Sequence, residues 1–325
     1  MAALSEFEII ERFFRRPARG AVLGIGDDAA LIAPTPGSEL AISVDMLVSG
    51  RHFFAAVDPR ALGHKTLAVN LSDLAAMGAT PRWALLAGAL PDADPAWLAA
   101  FAQGLFALAD AHRVELIGGD TTQGPLTLCV TIVGVVAAGQ ALRRSGARVG
   151  DSIWVSGTLG DAALALAHRQ GRIGLEAADF AACEPALLWP TPRVALGERL
   201  LGVASAAIDV SDGLTGDLGH VLEASGVGAL VDLAALPCSE SMRRQLAGPA
   251  RETALRCLLA GGDDYELCFT APARQEPALR AIASDLGIAL ACVGAIRAER
   301  GLVIRDEAGR PLPRLPSAFD HFANQ

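Results

Sequence analysis

One stretch constrains this chain more than any other: Ala68-Val-Asn-Leu-Ser-Asp-Leu-Ala-Ala-Met-Gly-Ala-Thr-Pro81. Leu67, Leu71, Leu74 and Ala75 recur at helical spacing, and Gly78 and Pro81 end the run. That pattern predicts a buried helix. Inside its apolar frame sits a polar patch, Asn70-Leu-Ser-Asp73. A helix that only had to pack would not carry a carboxylate there. Burying an unpaired carboxylate costs several kcal/mol or forces it neutral. Asp73 therefore needs a cation or a hydrogen-bond partner, unless it caps the helix or faces water. Taken alone, the residue does not decide between these.

The flanking sequence predicts strands and helices in alternation. Ser5-Glu-Phe-Glu8 has the form of a capping box opening a short helix through Phe14. Leu40–Val48 reads as a strand with Ser43 and Asp45 on one face. Asp58-Pro59 starts the helix that carries Asp73, and Asp94-Pro95 starts a second that runs to about His112. Strands are predicted over Trp83–Leu90 and from Val114 into a polar loop ending at Thr122, then over Leu126–Ala138. A basic, glycine-containing link follows, Leu142 to Asp151, so the expected domains are 1–140 and 141–325. The second half predicts a strand at Ser152–Ser156, a helical stretch from about Leu175 to Leu201, and a helix after Gly213 that ends near Ala224. A glycine-rich turn at Leu259–Asp264 feeds a strand, and strand-like stretches follow at Ala289–Val293 and Leu302–Ile304. Each half reads as its own α/β unit.

Asp73 does not stand alone. Gly26-Asp27-Asp28, Ser43-Val44-Asp45, Gly119-Asp120-Thr121 and Asp209-Val-Ser211-Asp212-Gly213 each put a carboxylate at the edge of an apolar segment, beside hydroxyls or glycines. Any one of these motifs reads equally well as a cap or a turn. Together they form a set of oxygen ligands and open backbone, which is what hard divalent cations take. Histidine and cysteine are absent from the motifs, which argues against zinc. Without cations, converging carboxylates would repel one another. Mg2+ keeps several waters and binds substrate phosphates beside one or two carboxylates, so several aspartates point to several metals and a nucleotide.

Composition removes other classes. The 325 residues include 27 basic and 36 acidic ones, a net charge of -9. That balance argues against binding to nucleic acid or to an anionic membrane. No apolar run approaches the length of a spanning helix. The start lacks the basic and apolar regions of a signal peptide, so a cytoplasmic location is expected. The six cysteines contain no C-x-x-C pair and lie mostly among apolar neighbours, which predicts buried reduced thiols. Gly63-His-Lys65 has the wrong spacing for a P-loop, and no G-x-G-x-x-G opens a βαβ unit. Lys65, the single lysine, and the forks of Arg143 and Arg144 are open to a phosphate-facing role.

These motifs carry a resemblance. Gly24-Ile-Gly-Asp-Asp28, Ser43-Val-Asp45, Gly50-Arg-His-Phe53, the stretch Ala68–Gly78, Ile117-Gly-Gly-Asp-Thr-Thr122, Arg144-Ser-Gly146, Ile208–Gly213, Gly261–Leu267 and Phe319-Asp-His-Phe322 together resemble the thiamine-monophosphate kinase family. That family belongs to the superfamily of aminoimidazole ribonucleotide synthetase. The resemblance covers essentially the whole chain. It implies an α/β (α+β), two-domain architecture in which each domain is a mixed sheet packed with helices. It implies ATP-dependent phosphorylation of thiamine monophosphate to thiamine diphosphate, by direct in-line transfer with no side-chain nucleophile. Asp27, Asp28, Ser43, Val44 through its carbonyl, Asp45, Asp73, Asp120, Asp209 and Asp212 would be Mg2+ ligands. Gly119, Asp120, Thr121, Arg144 and Ser211 would face ATP. His52, Asp263 and Phe319 would hold the substrate. The family often has Thr where this chain has Val44, and commonly Glu where it has Asp263.

The same likeness implies a homodimer joined through the first-domain sheets, with nucleotide bound near the interface and completed by the second domain. A selenophosphate-forming relative would want an N-terminal Cys, but the first is Cys129; a hydrogenase-maturation relative would want a C-terminal one, but the last is Cys292. Amidine-forming purine enzymes of the superfamily remain a rival. So does a noncatalytic sensor that binds Mg2+–nucleotide without consuming it.

Overall fold

The structure is a computed structural model, and it describes residues 4–316. The chain divides into two compact units, one running to Leu74 and from Ala79 to Gly139, the other comprising Ala75–Gly78 and the chain from Gln140.

The first unit opens with α1 (Glu6–Ile9), whose N-cap Ser5 forms the expected capping box with Glu8, followed by a π-helical turn over Ile10–Phe14. Its sheet contains β1 (Ser38–Val48), β2 (Thr80–Leu90), β3 (Glu115–Gln123) and β4 (Thr127–Ala137) in the order β1-β4-β2-β3. Only the β2–β3 pairing is parallel. The unit's helices are α2 (Pro59–Ala76) and α3 (Pro95–His112), the latter capped by Asp94. Helix α2 has no exposed face to speak of. Leu62, Leu67, Ala68, Leu71 and Leu74 are all at most 1% exposed, and Lys65, Thr66, Asn70 and Ser72 are buried with them. A helix buried all round has no one-sided stripe, so its polar residues must find partners inside. The expected polar loop before Thr122 is instead continuous strand, because residues Gly118–Gln123 keep pairing with Leu85–Leu90.

Successive strand residues face opposite sides, and this sorts the motifs. One face of the sheet carries Ser43, Asp45 and Leu47 of β1 with Leu128, Val130 and Ile132 of β4; the four apolar residues are buried, and Ser43 and Asp45 are half-buried. The other face carries Ile42, Val44 and Met46, which are 64%, 59% and 54% exposed. At one end of that second face Val133 and Trp83 are covered by the segment holding Ala18, Ala21, Ala30 and Ile32. Glu115 pins that segment by accepting the backbone N–H groups of Arg19 and Gly20 at 2.7–2.9 Å.

The second unit is built on a six-stranded mixed sheet. Its strands are β5 (Asp151–Ser156), β6 (Ala206–Val210), β7 (Gly228–Asp232), β8 (Glu266–Pro272), β9 (Leu290–Arg297) and β10 (Gly301–Arg305), in the order β10-β7-β9-β5-β8-β6. Helices α4 (Asp161–Arg169), α5 (Ala177–Leu188), α6 (Val194–Leu200), α7 (Leu214–Ser225), α8 (Glu240–Ala247), α9 (Arg251–Ala260) and α10 (Glu276–Leu286) accompany it. The helical stretch expected over 175–201 is two helices, broken where Pro190 and Pro192 remove donors. The cysteines are free: Cys183, Cys238, Cys257 and Cys268 are buried as expected, Cys129 is half-buried, and Cys292 is exposed, contrary to the expectation. Cys292 lies on β9, where it and Ala295 are the exposed positions.

Candidate functional site

The buried polar patch of α2 meets β1. Ser43 Oγ donates a hydrogen bond to Asp73 Oδ2. Asn70 Oδ1 accepts the backbone N–H of Asp45 at 3.1 Å, and Asn70 Nδ2 donates to the Thr66 carbonyl at 3.1 Å. Asn70, fully buried, therefore ties strand and helix together beside three expected ligands. Ser43, Asp45 and Asp73 are half-buried, which leaves their oxygens within reach of a ligand. A hydroxyl and two carboxylates, with no nitrogen or sulfur among them, is a donor set that suits Mg2+. Val44 sits between them in sequence, but its side chain points to the open face.

Asp120 is elsewhere. Across the sheet, Met46 pairs with Cys129, Cys129 with Ala87, and Ala87 with Asp120. Asp120 thus shares the open face with Met46, at the opposite edge of the sheet from β1. Gly119 has φ 147°, and a Cβ there would lie 1.8 Å from the Leu86 carbonyl oxygen. Only glycine lets β3 approach β2 so closely just before the carboxylate. Thr121 follows, half-buried and paired with Gly88. Asp27 and Asp28 are exposed in the loop bridged by Leu23 and Leu31, with the Asp28 N–H donating to Asp27 Oδ1 at 3.0 Å. His52 lies in the turn after β1, where its Nδ1 accepts the Val48 N–H at 2.9 Å. That bond puts the proton of the neutral ring on Nε2. Phe53 beside it is buried.

In the second unit two loops meet. Strand β6 carries Asp209, which is 4% exposed, and ends at half-buried Ser211 and exposed Asp212. The Ser211 carbonyl accepts the Asp263 N–H at 2.9 Å, and the Val210 carbonyl accepts the Tyr265 N–H at 2.8 Å. Asp263 and Tyr265 both have left-handed backbones, φ 70° and 50°, and the Tyr265 hydroxyl donates to Asp263 Oδ1 at 2.9 Å. Two such residues within three positions store strain, which accompanies functional sites. Asp264, next to Asp263, accepts the Gly160 N–H at 2.8 Å, and burial pushes its carboxyl well up.

Asp217 reaches back from the first turn of α7. Its Oδ2 accepts the N–H groups of Ser211, Asp212 and Gly213 at 3.1, 3.1 and 3.0 Å. Burial pushes its carboxyl up to about 7, against the pull of those donors. Arg144 is exposed, and its carbonyl accepts from Ser225 Oγ at 3.2 Å, at the far end of α7. Helix α7 therefore separates Arg144's backbone from Ser211 by about 18 Å.

The expected residues thus fall into distinct groups: Ser43, Asp45 and Asp73; Gly119, Asp120 and Thr121; and Asp209, Ser211, Asp212 and Asp263. Phe319 lies outside the described residues. Among the described residues no three His, Cys, Asp or Glu side chains are gathered closely enough to hold an ion by themselves. Lys65 is buried within α2. Asn70 and Asp217 were not among the expected ligands. The first lies within the polar patch already visible in sequence. The second follows the Asp-Gly turn by four residues, the spacing from a loop to the first turn of a helix.

Comparison with known proteins bears on all of these groups. Residues 26–136 match the N-terminal domain, and residues 148–307 the C-terminal domain, of AIR synthase related proteins. The thiamine-monophosphate kinase of Salmonella typhimurium is 48% identical to this chain, over 99% of each. A crystal structure of thiamine-monophosphate kinase from Stenotrophomonas maltophilia has a TM-score of 0.83 and 50% identity, covering 92% of this chain and 94% of its own. A structure of AaThiL complexed with AMPPCP and TMP has a TM-score of 0.78 at 28% identity, covering 89% of each chain.

Proposed function

This chain belongs to the thiamine-monophosphate kinase family of AIR synthase related proteins, and from that premise we propose that it transfers the γ-phosphoryl group of ATP to thiamine monophosphate, giving thiamine diphosphate. The observation that carries the reading is that kinases of this name match both units from end to end. A phosphate oxygen of thiamine monophosphate is already a nucleophile, so transfer needs no general base and no covalent enzyme intermediate. What it needs is alignment of two anions that repel each other.

Mg2+ would supply charge neutralisation at the phosphates, and Ser43, Asp45, Asp73, Asp120, Asp209 and Asp212 are its proposed ligands. Asp27 and Asp28, and the Val44 carbonyl, belong to the same proposed set. The oxygen-only donors of the Ser43–Asp73 group fit such an ion. Gly119, Thr121, Arg144 and Ser211 would line the nucleotide, and His52, Asp263 and Phe319 the substrate. Asn70 holds Asp45 by its backbone, so the strand presents its carboxylate in a fixed register. The Tyr265 hydroxyl orients Asp263.

The working form is proposed to be a homodimer. The exposed apolar row Ile42, Val44 and Met46 supports it, because a monomer rarely leaves such a stripe in water. Asp45 and Asp120 lie at opposite edges and on opposite faces of one sheet, which supports a site that draws one from each copy. The protein is proposed to act in the cytoplasm; among the described residues no helix is long and apolar enough to cross a membrane.

The test is to incubate the protein with ATP, Mg2+ and either thiamine or thiamine monophosphate and identify the product. Thiamine diphosphate made only from the monophosphate supports the reading. Product from free thiamine points to a different kinase, and tight Mg2+–ATP binding with no product points to a sensor.

A further inference from the structure

The loop after β6 has a shape that usually belongs to a phosphate site. Three successive backbone N–H groups, from Ser211, Asp212 and Gly213, converge just before the N-terminus of α7. In P-loops such a nest, with the helix dipole behind it, cradles an anion. Here the chain fills the nest itself. One oxygen of Asp217 accepts all three N–H groups, at 3.0–3.1 Å. Asp217 is 4% exposed, so its carboxylate is turned away from solvent. Helix α7 has no side-chain N-cap, because its N-cap is Gly213 with φ 112°, and a Cβ there would come within 2.6 Å of the Ala260 backbone. The carboxylate of Asp217 stands in for the missing cap and offsets the positive end of the helix.

The consequence reaches beyond the helix. With its N–H groups turned inward, the loop leaves half-buried Ser211 and the exposed carboxylate of Asp212 toward solvent, while Asp209 stays buried on β6. Such an end is hostile to a bare phosphate and favourable to a cation. The Ser211 carbonyl is also fixed, since it accepts the Asp263 N–H at 2.9 Å. The nucleotide loop and the substrate loop therefore hang on the same carboxylate.

We propose that Asp217 is a positioning residue that fills the backbone nest of residues 211–213, so that this loop engages only the metal-bound form of the nucleotide. The inference rests on the kinase reading above and deepens it. Asp217 touches neither ATP nor metal; it decides which of the loop's groups can.

The experiment is calorimetric titration of the full-length protein with ADP, once with Mg2+ and once with EDTA, for the parent, Asp217→Ala and Asp217→Asn. The quantity read is the ratio of the two affinities. Removing the carboxylate frees three N–H donors for a phosphate and releases Asp212, so Asp217→Ala should lower the ratio by about tenfold or more, the scale of one charged hydrogen bond. Asp217→Asn keeps an acceptor oxygen in place and should lower it by about threefold, a partial rescue. A merely structural role would weaken both affinities together and leave the ratio alone. Asp217→Ala that is folded by circular dichroism and keeps the parent ratio overturns the proposal. If Asp217→Ala does not fold, a folded Asp217→Asn with the parent ratio overturns it equally. A parent that makes thiamine diphosphate while both variants keep its ratio sinks the role of Asp217 alone; a parent that binds no Mg2+–nucleotide sinks the kinase reading with it.

Discussion

The arrangement of the first sheet makes a quantitative prediction about two inactive proteins. Asp45 pairs with Val130, Val130 with Leu86, and Leu86 with Gly119, the residue before Asp120. Three strand spacings separate the two carboxylates' backbones by about 14 Å. Two oxygens on one Mg2+ lie at most about 4 Å apart. The side chains also leave opposite faces of the sheet. If Asp45 and Asp120 hold the same Mg2+, they must come from different copies of a symmetric dimer. Asp45→Asn and Asp120→Asn are each expected to be inactive alone, because every site in either homodimer lacks one carboxylate. Mixed dimers are different. One of their two sites carries both substitutions and the other carries neither. Random pairing at equal concentrations makes about half the dimers mixed, so activity should return to about a quarter of the parent's. The assay is co-expression of differently tagged copies, or dissociation and reassociation of the purified variants, followed by chromatographic measurement of thiamine diphosphate. Activity should peak at equal mixing. Purified mixed dimers with no activity would refute the reasoning and put both aspartates of a site on one chain.

Three further outcomes are expected. Asp73→Asn keeps a hydrogen-bond partner for Ser43 and should keep the fold, with circular dichroism unchanged, while turnover falls by about a thousandfold, the scale of losing one preorganised electrostatic contact; near-parent turnover would remove Asp73 from the site. Glu266 is 6% exposed and accepts from Arg193 through both oxygens and from Ser156, so Glu266→Ala, which strands the guanidinium, should lower stability by about 3–5 kcal/mol in urea unfolding; a loss under 1 kcal/mol, about the median for an exposed pair, would show that the pair is solvated. Burial pushes the thiols of Cys183 and Cys268 up to about 12 and that of Cys257 up to about 11, so at pH 8 they are protonated and poor nucleophiles. A thiol reagent on the native protein should therefore modify exposed Cys292 first, and these three only after denaturation, as peptide mapping would reveal.

Much of the architecture could be read from the chain because its signals are local. The cap at Ser5, the Asp-Pro start before α3 and the alternation along β1 are each written within a few residues, and each element formed where its signal lay. The partner demanded for Asp73 exists because a carboxylate in an apolar frame has few options, and Ser43 on the facing strand supplies one. Reading failed where the deciding contact is remote. Residues 118–122 look like a loop because Gly118, Gly119 and Asp120 in a row have low strand propensity. They extend as strand because the β2 backbone, more than 25 residues earlier, offers a parallel partner, and because glycine at 119 lets the two backbones meet where a side chain would collide.

The separation of Asp45 from Asp120 is the most instructive case. Both motifs share a chemistry, a carboxylate beside small or hydroxyl-bearing residues, and chemistry alone groups them into one site. Their relation in space is set by strand order, and strand order is decided by which edges and crossovers the whole sheet can close. Nothing within either motif records that β4 and β2 lie between them. The face each side chain takes follows from parity along its strand, and one residue of slip would reverse it. Asp217 illustrates the converse. Its sequence neighbourhood, an acidic residue in the first turn of a helix, is among the commonest in proteins. Its significance comes from reaching back to three N–H groups of a loop whose own residues look like the ligands. A motif scan weights the residues that would touch a ligand and passes over the one that determines which of their atoms face outward.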